Sequence, residues 1–430
     1  MLSDIRHKFN KIAGNAIMII TYELYLLSSR NSMFLFIYRI HKKVLSLINI
    51  TPLNNVSHIL YAEKHKTSKL EILIKREVGY SSNRTFDFEP VDFNLYEIPL
   101  NDVYLYYHKK VRIHGDSDFV ININEETTAN DIAYNLNERF ELYDGALLKQ
   151  KENLVLLRIN KIKIDKRIES GIMLSGRFSS NYYHVMYELL IKLILLDDVS
   201  IPKEVPIVVD EIIFEINSFK EIFNSLNHTN RDVILIKKSE IIEFENLYCI
   251  SSINLVPPHY KRNSQTNCFL SDCVFDVKIT EILYNRLSLM KSNKSFPKRF
   301  FISRRNTNQR RLNEDEIISV LGKYNISIIT PEDYSFSDQI ALFSGAELII
   351  GGSGAAFSNL LFCKKDTFVI CIVSQKHNSS TFTTIAYSRG VKMIYCLGKP
   401  IRSSQKKGVH SDLIVEPEKI LKLLRTYNLL

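Results

Sequence analysis

The chain has 430 residues, of which 45% are hydrophobic and 24% charged. That length exceeds one ordinary core and suits roughly two to three domains, and the composition excludes an extensively disordered chain. A formal net charge of +9 points to anionic partners (nucleotides, phospholipid head groups or nucleic acid) without choosing among them.

Residues 1–50 read as two helices, Asp4–Ser28 and Ser32–Ile48, with seven Lys/Arg against two acids. The second carries Phe34, Leu35, Phe36, Ile37 and Tyr38. A basic, aromatic-rich amphipathic pair of this kind either lies on an anionic membrane surface through residues 1–48 or packs on the rest of the protein. Glu23 interrupts the first apolar run, which falls short of the ~20 residues of a spanning helix. No secretory signal is evident, so the expected location is cytoplasmic, peripheral at the inner face of the cytoplasmic membrane.

Residues 51–170 hold short alternating runs, such as Val103–Tyr107 and Leu154–Ile159, that read as strands of unassigned topology. From Gly171 the pattern turns regular: strand Ile172–Ser175, helix Tyr182–Leu196, strand Pro206–Val209, helix Phe214–Leu226, strand Asp232–Ile236. Pro257-Pro258 and a polar stretch then mark a connection, with a helix over Ile279–Met290. A second series follows: strand Phe300–Ser303, helix Glu314–Leu321, strand Ile326–Ile329, helix Ser337–Phe343, strand Leu348–Ile350, helix Ala355–Leu361 and strand Thr367–Val373. Two such series predict an α/β protein with two doubly wound, Rossmann-like domains facing a cleft, plus the N-terminal helical extension. The expected divisions are 1–50, 51–260 with its Rossmann-like part at 171–255, a connection at 261–297, and 298–430.

Four constellations could do chemistry. Gly351-Gly352-Ser353-Gly354 lies between a buried strand and a helix, where glycines permit positive φ and close approach and a helix N-terminus attracts phosphate; a tight turn is the plain alternative. From Lys291 to Arg311 there are eight Lys/Arg and no acid. Arg304 and Arg305 in that segment leave a strand at its C-terminal end, and guanidinium forks suit a diphosphate. For Arg310 and Arg311 a solvated basic loop is an equal reading. Asn181-Tyr182-Tyr183-His184 opens a helix with Glu188 one turn on, so His184 is a candidate general base; most lone histidines on apolar helices are structural. Asp116-Ser117-Asp118 could hold a metal but sits after Gly115, outside both series, and reads as a polar turn.

The cysteines, Cys249, Cys268, Cys273, Cys363, Cys371 and Cys396, form no CxxC pair. Cys268 and Cys273 lie near His259 without zinc spacing, so free thiols and no metal are expected.

Three of these blocks together resemble glycosyltransferase family 61. They are Asn181–His184 with Glu188 and Leu189; Phe301–Arg305 with Arg311–Glu314 behind it; and Phe336, Gln339 and Ala346 leading to Ile350–Ala355 and Asn359–Phe362. The resemblance covers about residues 171–400. It implies a two-domain GT-B architecture and inverting transfer from a nucleotide-sugar, commonly a UDP-sugar, without an essential metal or other cofactor. It assigns Arg304 and Arg305 to the diphosphate, Gly351, Gly352, Ser353, Gly354 and Ala355 to the turn beside the nucleotide, and His184 to the acceptor side. The family often has Pro-His where this chain has Gly352-Ser353, and an aromatic where it has Val185.

The expected reaction is a single displacement. His184, or second Glu188, takes a proton from an acceptor hydroxyl while Arg304, Arg305 and the turn stabilise the leaving diphosphate. Gln339 and Asn359 are expected contacts to base, ribose or sugar. The expected partners are a nucleotide-sugar donor and a glycan acceptor of capsule or lipopolysaccharide type, lipid-linked; nucleic acid is not expected. A non-catalytic glycan- or nucleotide-binding subunit of a polysaccharide assembly is the alternative.

Overall fold

The computed structural model of the chain describes residues 2–29, 31–57, 69–76, 78–89, 91–131, 144–159, 163–197, 199–256, 269–377, 379–401 and 408–430. His259 and Cys268 lie outside the described residues. Helix α1 (Leu2–Ser28) and helix α2 (Ser32–Leu47) open the chain, with Asn31 capping α2. Neither they nor any other helix among the described residues is long and apolar enough to cross a membrane.

Among the described residues the larger of two main sheets has eleven strands. Five of them position the site: β1 (Val103–His114), β2 (Lys166–Met173), β3 (Ile207–Asp210), β4 (Val233–Ile236) and β5 (Ile241–Ile250). Their spatial order is β4-β3-β2-β5-β1. The first four are parallel, and β1 runs antiparallel to β5. The chain therefore winds from β2 outward to β4 and returns to the other side of β2, so the winding direction reverses between β2 and β5.

The second sheet follows a related rule. Its strands are β6 (Arg299–Ile302), β7 (Ser327–Ile329), β8 (Leu348–Gly352), β9 (Phe368–Ser374), β10 (Lys392–Pro400) and β11 (Leu413–Ile414). They lie in the order β7-β6-β8-β9-β10-β11, all parallel except the last. Here the reversal falls between β6 and β8. Every residue of β9 is buried, as a parallel strand covered on both faces requires. The period of two divides its neighbours: Phe301, Ile350, Ile370 and Ile394 pack toward the helices Glu314–Leu321 and Pro417–Thr426. Phe300, Ile349, Val369 and Met393 face a larger apolar cluster that also takes in Ile172, Val209 and Tyr187. The two sheets therefore share one core.

Tyr182–Asp197 is helical, as its apolar pattern predicts, but not uniformly α. Tyr182–His184 is α, Val185–Leu189 a π turn and Leu190–Asp197 a 3-10 run. A π turn widens the helix by one residue per turn, and such turns concentrate at functional sites. The helix after the glycine turn, Ala355–Phe362, is 3-10 rather than α. A hairpin, Val78–Ser82 with Leu95–Pro99, crosses to the second sheet, where Phe86 bridges to Tyr395 of β10.

Candidate active site

In open parallel sheets the crevice for a ligand forms at the C-terminal strand ends where the winding reverses. In the second sheet that point lies between the ends of β6 and β8, which carry Ser303-Arg304 and Gly351–Gly354. Arg304 is 9% exposed, and its guanidinium lies across the glycines: a Cβ on Gly354 would stand 1.9 Å from its Nη1. Gly354 has φ −174°, and none of Gly351, Gly352 and Gly354 is in the left-handed region. The expected positive φ is thus replaced by a different need, room for an arginine.

Arg304 donates from Nη2 to the Gln309 carbonyl (3.1 Å) and from Nε to the Arg310 carbonyl (3.2 Å). The buried Glu314 carboxylate accepts from the Arg304 amide (2.6 Å) and the Ser303 hydroxyl (2.6 Å), pinning the strand exit. Arg310, at φ 56°, donates to the Ser353 carbonyl (3.2 Å). Burial pushes the Arg310 guanidinium down to about 10, with repulsion from Arg304 adding to it, and burial lowers Arg304 too. Two cations held this way, donating to carbonyls rather than carboxylates, favour an anion that would neutralise them.

The rest of this edge is also polar. His377 follows β9; burial, then Arg84 and Arg310, push its imidazole down to about 3, so it is neutral. Arg84, from the crossing hairpin, donates to the His377 carbonyl. The His377 Nε2, Arg310 Nε, Ser374 Oγ and Ser380 Oγ atoms are buried without a hydrogen-bond partner. Such atoms are rare in a finished interior and are accounted for by a ligand or ordered water. A cavity of about 130 Å³ lies beside them, lined by Ser82, Asn83, Arg84, Phe86 and Ser380 among others.

Arg305 does not join this edge. Its side chain is 55% exposed, pairs with Asp315 and lies 3.5 Å from Glu314. Asn359 and Gln339 are buried and committed to each other: Asn359 Nδ2 donates to Gln339 Oε1 (2.9 Å), and the Tyr182 hydroxyl donates to Asn359 Oδ1 (2.6 Å). Tyr187 adds a bond to the Ser358 carbonyl (3.2 Å). These bonds join the Tyr182 helix to the glycine-turn helix. Ala355 opens that helix, half-buried.

In the first sheet the reversal falls between the ends of β2 and β5. A cavity of about 70 Å³ occupies it, lined by Asp118, Asp131, Arg177, Glu188, Lys192 and Ser252 among others. Arg177 Nε lies 3.1 Å from Asp118 Oδ2. Asp210, pushed up to about 6 by burial, accepts from the Ser175 hydroxyl and from the Asp116 and Gly176 amides, which locks the two turns together. A Cβ at Gly176 would stand 2.4 Å from Asp118 Oδ1, so only glycine fits under that carboxylate. The Asp116–Asp118 triplet is thus a turn, as expected, but its last carboxylate belongs to this cavity. Among the described residues no group of His, Cys, Asp and Glu is placed to hold a metal.

His184 stands beside the same cavity. Its Nδ1 lies 2.9 Å from Glu188 Oε2, and its ring stacks on Phe178 at 4.5 Å. Burial alone would raise the Glu188 carboxyl, but His184, Arg177 and Lys192 together hold it below its ordinary value. The imidazole thus lies between a carboxylate close to Nδ1 and an aromatic face, an arrangement suited to accepting a proton at Nε2.

Residues 182–370 match the family model described as Glycosyltransferase 61. That stretch, a little under half of the chain, is similar to glycosyltransferase family 61. The match takes in His184, Glu188, Arg304, Arg310 and the glycine turn, and it supports glycosyltransferase activity, a reaction that takes a sugar donor and an acceptor. No curated protein matches the chain.

Proposed function

We propose that the protein is a glycosyltransferase of the GT-B arrangement, with residues 298–430 holding a nucleotide-sugar and residues 51–260 presenting the acceptor. The reading rests on one observation: a buried guanidinium, Arg304, and a half-buried one, Arg310, meet the glycine turn at the point where the second sheet reverses its winding. A UDP-sugar supplies the diphosphate that such a site would neutralise. As the bond to the sugar breaks, negative charge grows on the leaving diphosphate, and Arg304 and Arg310 stabilise it there. Arg305 takes no part in this account, and Gln339 and Asn359 brace the cleft rather than touch the donor.

The acceptor hydroxyl approaches from the first-sheet cavity and gives its proton to His184 Nε2, while Glu188 orients the ring through Nδ1. Attack from the face opposite the diphosphate inverts the anomeric carbon. The acceptor is a bacterial surface glycan of capsule or lipopolysaccharide type, carried on a lipid at the inner face of the cytoplasmic membrane. NMR of the product tests the stereochemistry: an inverted anomeric configuration supports the single displacement, and a retained one rejects it. Should wild type and His184→Ala both remain at background for transfer and donor hydrolysis, a non-catalytic binding subunit replaces the enzyme reading.

A further inference from the structure

Half of the exposed large apolar side chains among the described residues are gathered in one short stretch. Ten of twenty lie between Ile19 and Ile48. On α2 they form a stripe: Met33, Ile37, Ile40, Val44 and Leu47 recur at alternating steps of four and three, and Phe36, 64% exposed, lies beside it. At 3.6 residues per turn these positions fall within an arc of about 120°. The stripe is not the inner face of the helix. Tyr38 and Leu45 are buried on the other side, where Leu45 packs with Met18, Tyr22 and Leu156. Lys42 Nζ to Glu126 Oε1 (2.6 Å) and His41 Nε2 to Thr21 Oγ1 (2.8 Å) fix that orientation. An amphipathic helix needs one apolar face; α2 has a satisfied one and a second, open one.

We propose that this outer face of α2 docks the protein on an anionic lipid bilayer. Charge selects the occupant. Arg39 and Lys43 flank the stripe, both exposed, and α2 contains no Asp or Glu. Pairing with a second copy through the stripe would bring those cations against each other, since nothing on α2 answers them. A bilayer with acidic head groups answers both demands: acyl chains take Phe36 and Ile40, and lipid phosphates take Arg39 and Lys43. The inference gives a surface to the lipid-linked acceptor proposed above and rests on that reading only for its purpose. Vesicle binding is measured without sugar transfer, so either can fail alone.

The test is co-sedimentation of the full chain with vesicles at physiological ionic strength. Wild type is expected to bind equimolar phosphatidylglycerol and phosphatidylcholine and to stay in solution with phosphatidylcholine alone. Phe36→Glu with Ile40→Glu, at exposed positions, is expected to cut binding about tenfold or more while the circular dichroism spectrum is unchanged. Arg39→Ser with Lys43→Ser is expected to abolish the preference for phosphatidylglycerol. Absence of wild-type binding, or equal binding by the Phe36/Ile40 variant, overturns the proposal. A dimer in light scattering that the same variant dissociates, with no vesicle binding, would assign the face to a second copy instead.

Discussion

Gly354→Ala tests why the glycine turn is built as it is. The new Cβ would stand 1.9 Å from Arg304 Nη1. An ordinary contact is ~3.5 Å, so the guanidinium must retreat by about 1.5 Å. Its bonds to the Gln309 and Arg310 carbonyls, at 3.1 and 3.2 Å, do not both survive such a shift. A hydrogen bond from a charged donor contributes ~1.5–3 kcal/mol. Gly→Ala returns ~0.4–1 kcal/mol through the unfolded chain, leaving a net loss of about 1–2 kcal/mol. The displaced fork also loses its alignment on phosphate, and affinity for UDP should fall about 10- to 100-fold. Urea unfolding and titration calorimetry with UDP measure the two losses. In an Arg304→Met background the obstructing Nη1 is gone, so Gly354→Ala should cost little further. A coupling of about 1 kcal/mol or more is therefore expected across the double-mutant cycle. Simple additivity, or a neutral Gly354→Ala in wild type, would refute the reasoning.

Three further outcomes follow from the same geometry. Arg310→Met should weaken UDP binding about tenfold or more, whereas Arg305→Ala, already paired with Asp315 at the surface, should leave it within about twofold by the same calorimetry. His184→Ala should lower transfer about 10²- to 10⁴-fold and Glu188→Gln by less, with UDP affinity unchanged in both, as single-turnover kinetics and calorimetry would record. His377, pushed down to about 3 in the fold, should show no protonation in NMR titration down to about pH 4. Because its folded value lies below the unfolded one, its linkage is absent above the ordinary histidine value of ~6.5 and removes stability as pH falls from there toward 3. His377→Gln should therefore flatten the acid side of the stability curve, and an equally steep curve in the variant would contradict the assignment.

The second sheet was legible in the sequence because its signal is local. Short apolar runs alternate with amphipathic helices; the order of the strands, and with it the winding reversal, is set by pairing between distant segments and was not legible. Which arginine faces the edge was not legible. Side chains leaving a strand alternate sides, so at most one of Arg304 and Arg305 could point into the crevice, and nothing local says which. Arg310 reaches the same edge by a left-handed turn at φ 56°, which its residue type does not advertise. The Asp118 carboxylate was hidden for a different reason. The turn that carries it looks isolated until β1 pairs with β5, more than a hundred residues away, and the sheet brings it beside Gly176 and Arg177. The His184–Glu188 contact was legible from its i,i+4 spacing, but the π turn was not, because helix propensity does not distinguish one hydrogen-bond register from another. Gln339 and Asn359, expected as contacts to base, ribose or sugar, hydrogen-bond to each other, a pairing that their 20-residue separation does not announce.

The most direct test of the account is a crystal structure of the protein with UDP bound. The diphosphate is expected between the Arg304 and Arg310 guanidinium groups, against Gly354, with Arg305 still on Asp315. A diphosphate lodged instead in the first-sheet cavity among Asp118, Arg177 and Lys192, or away from both sheet edges, would contradict it.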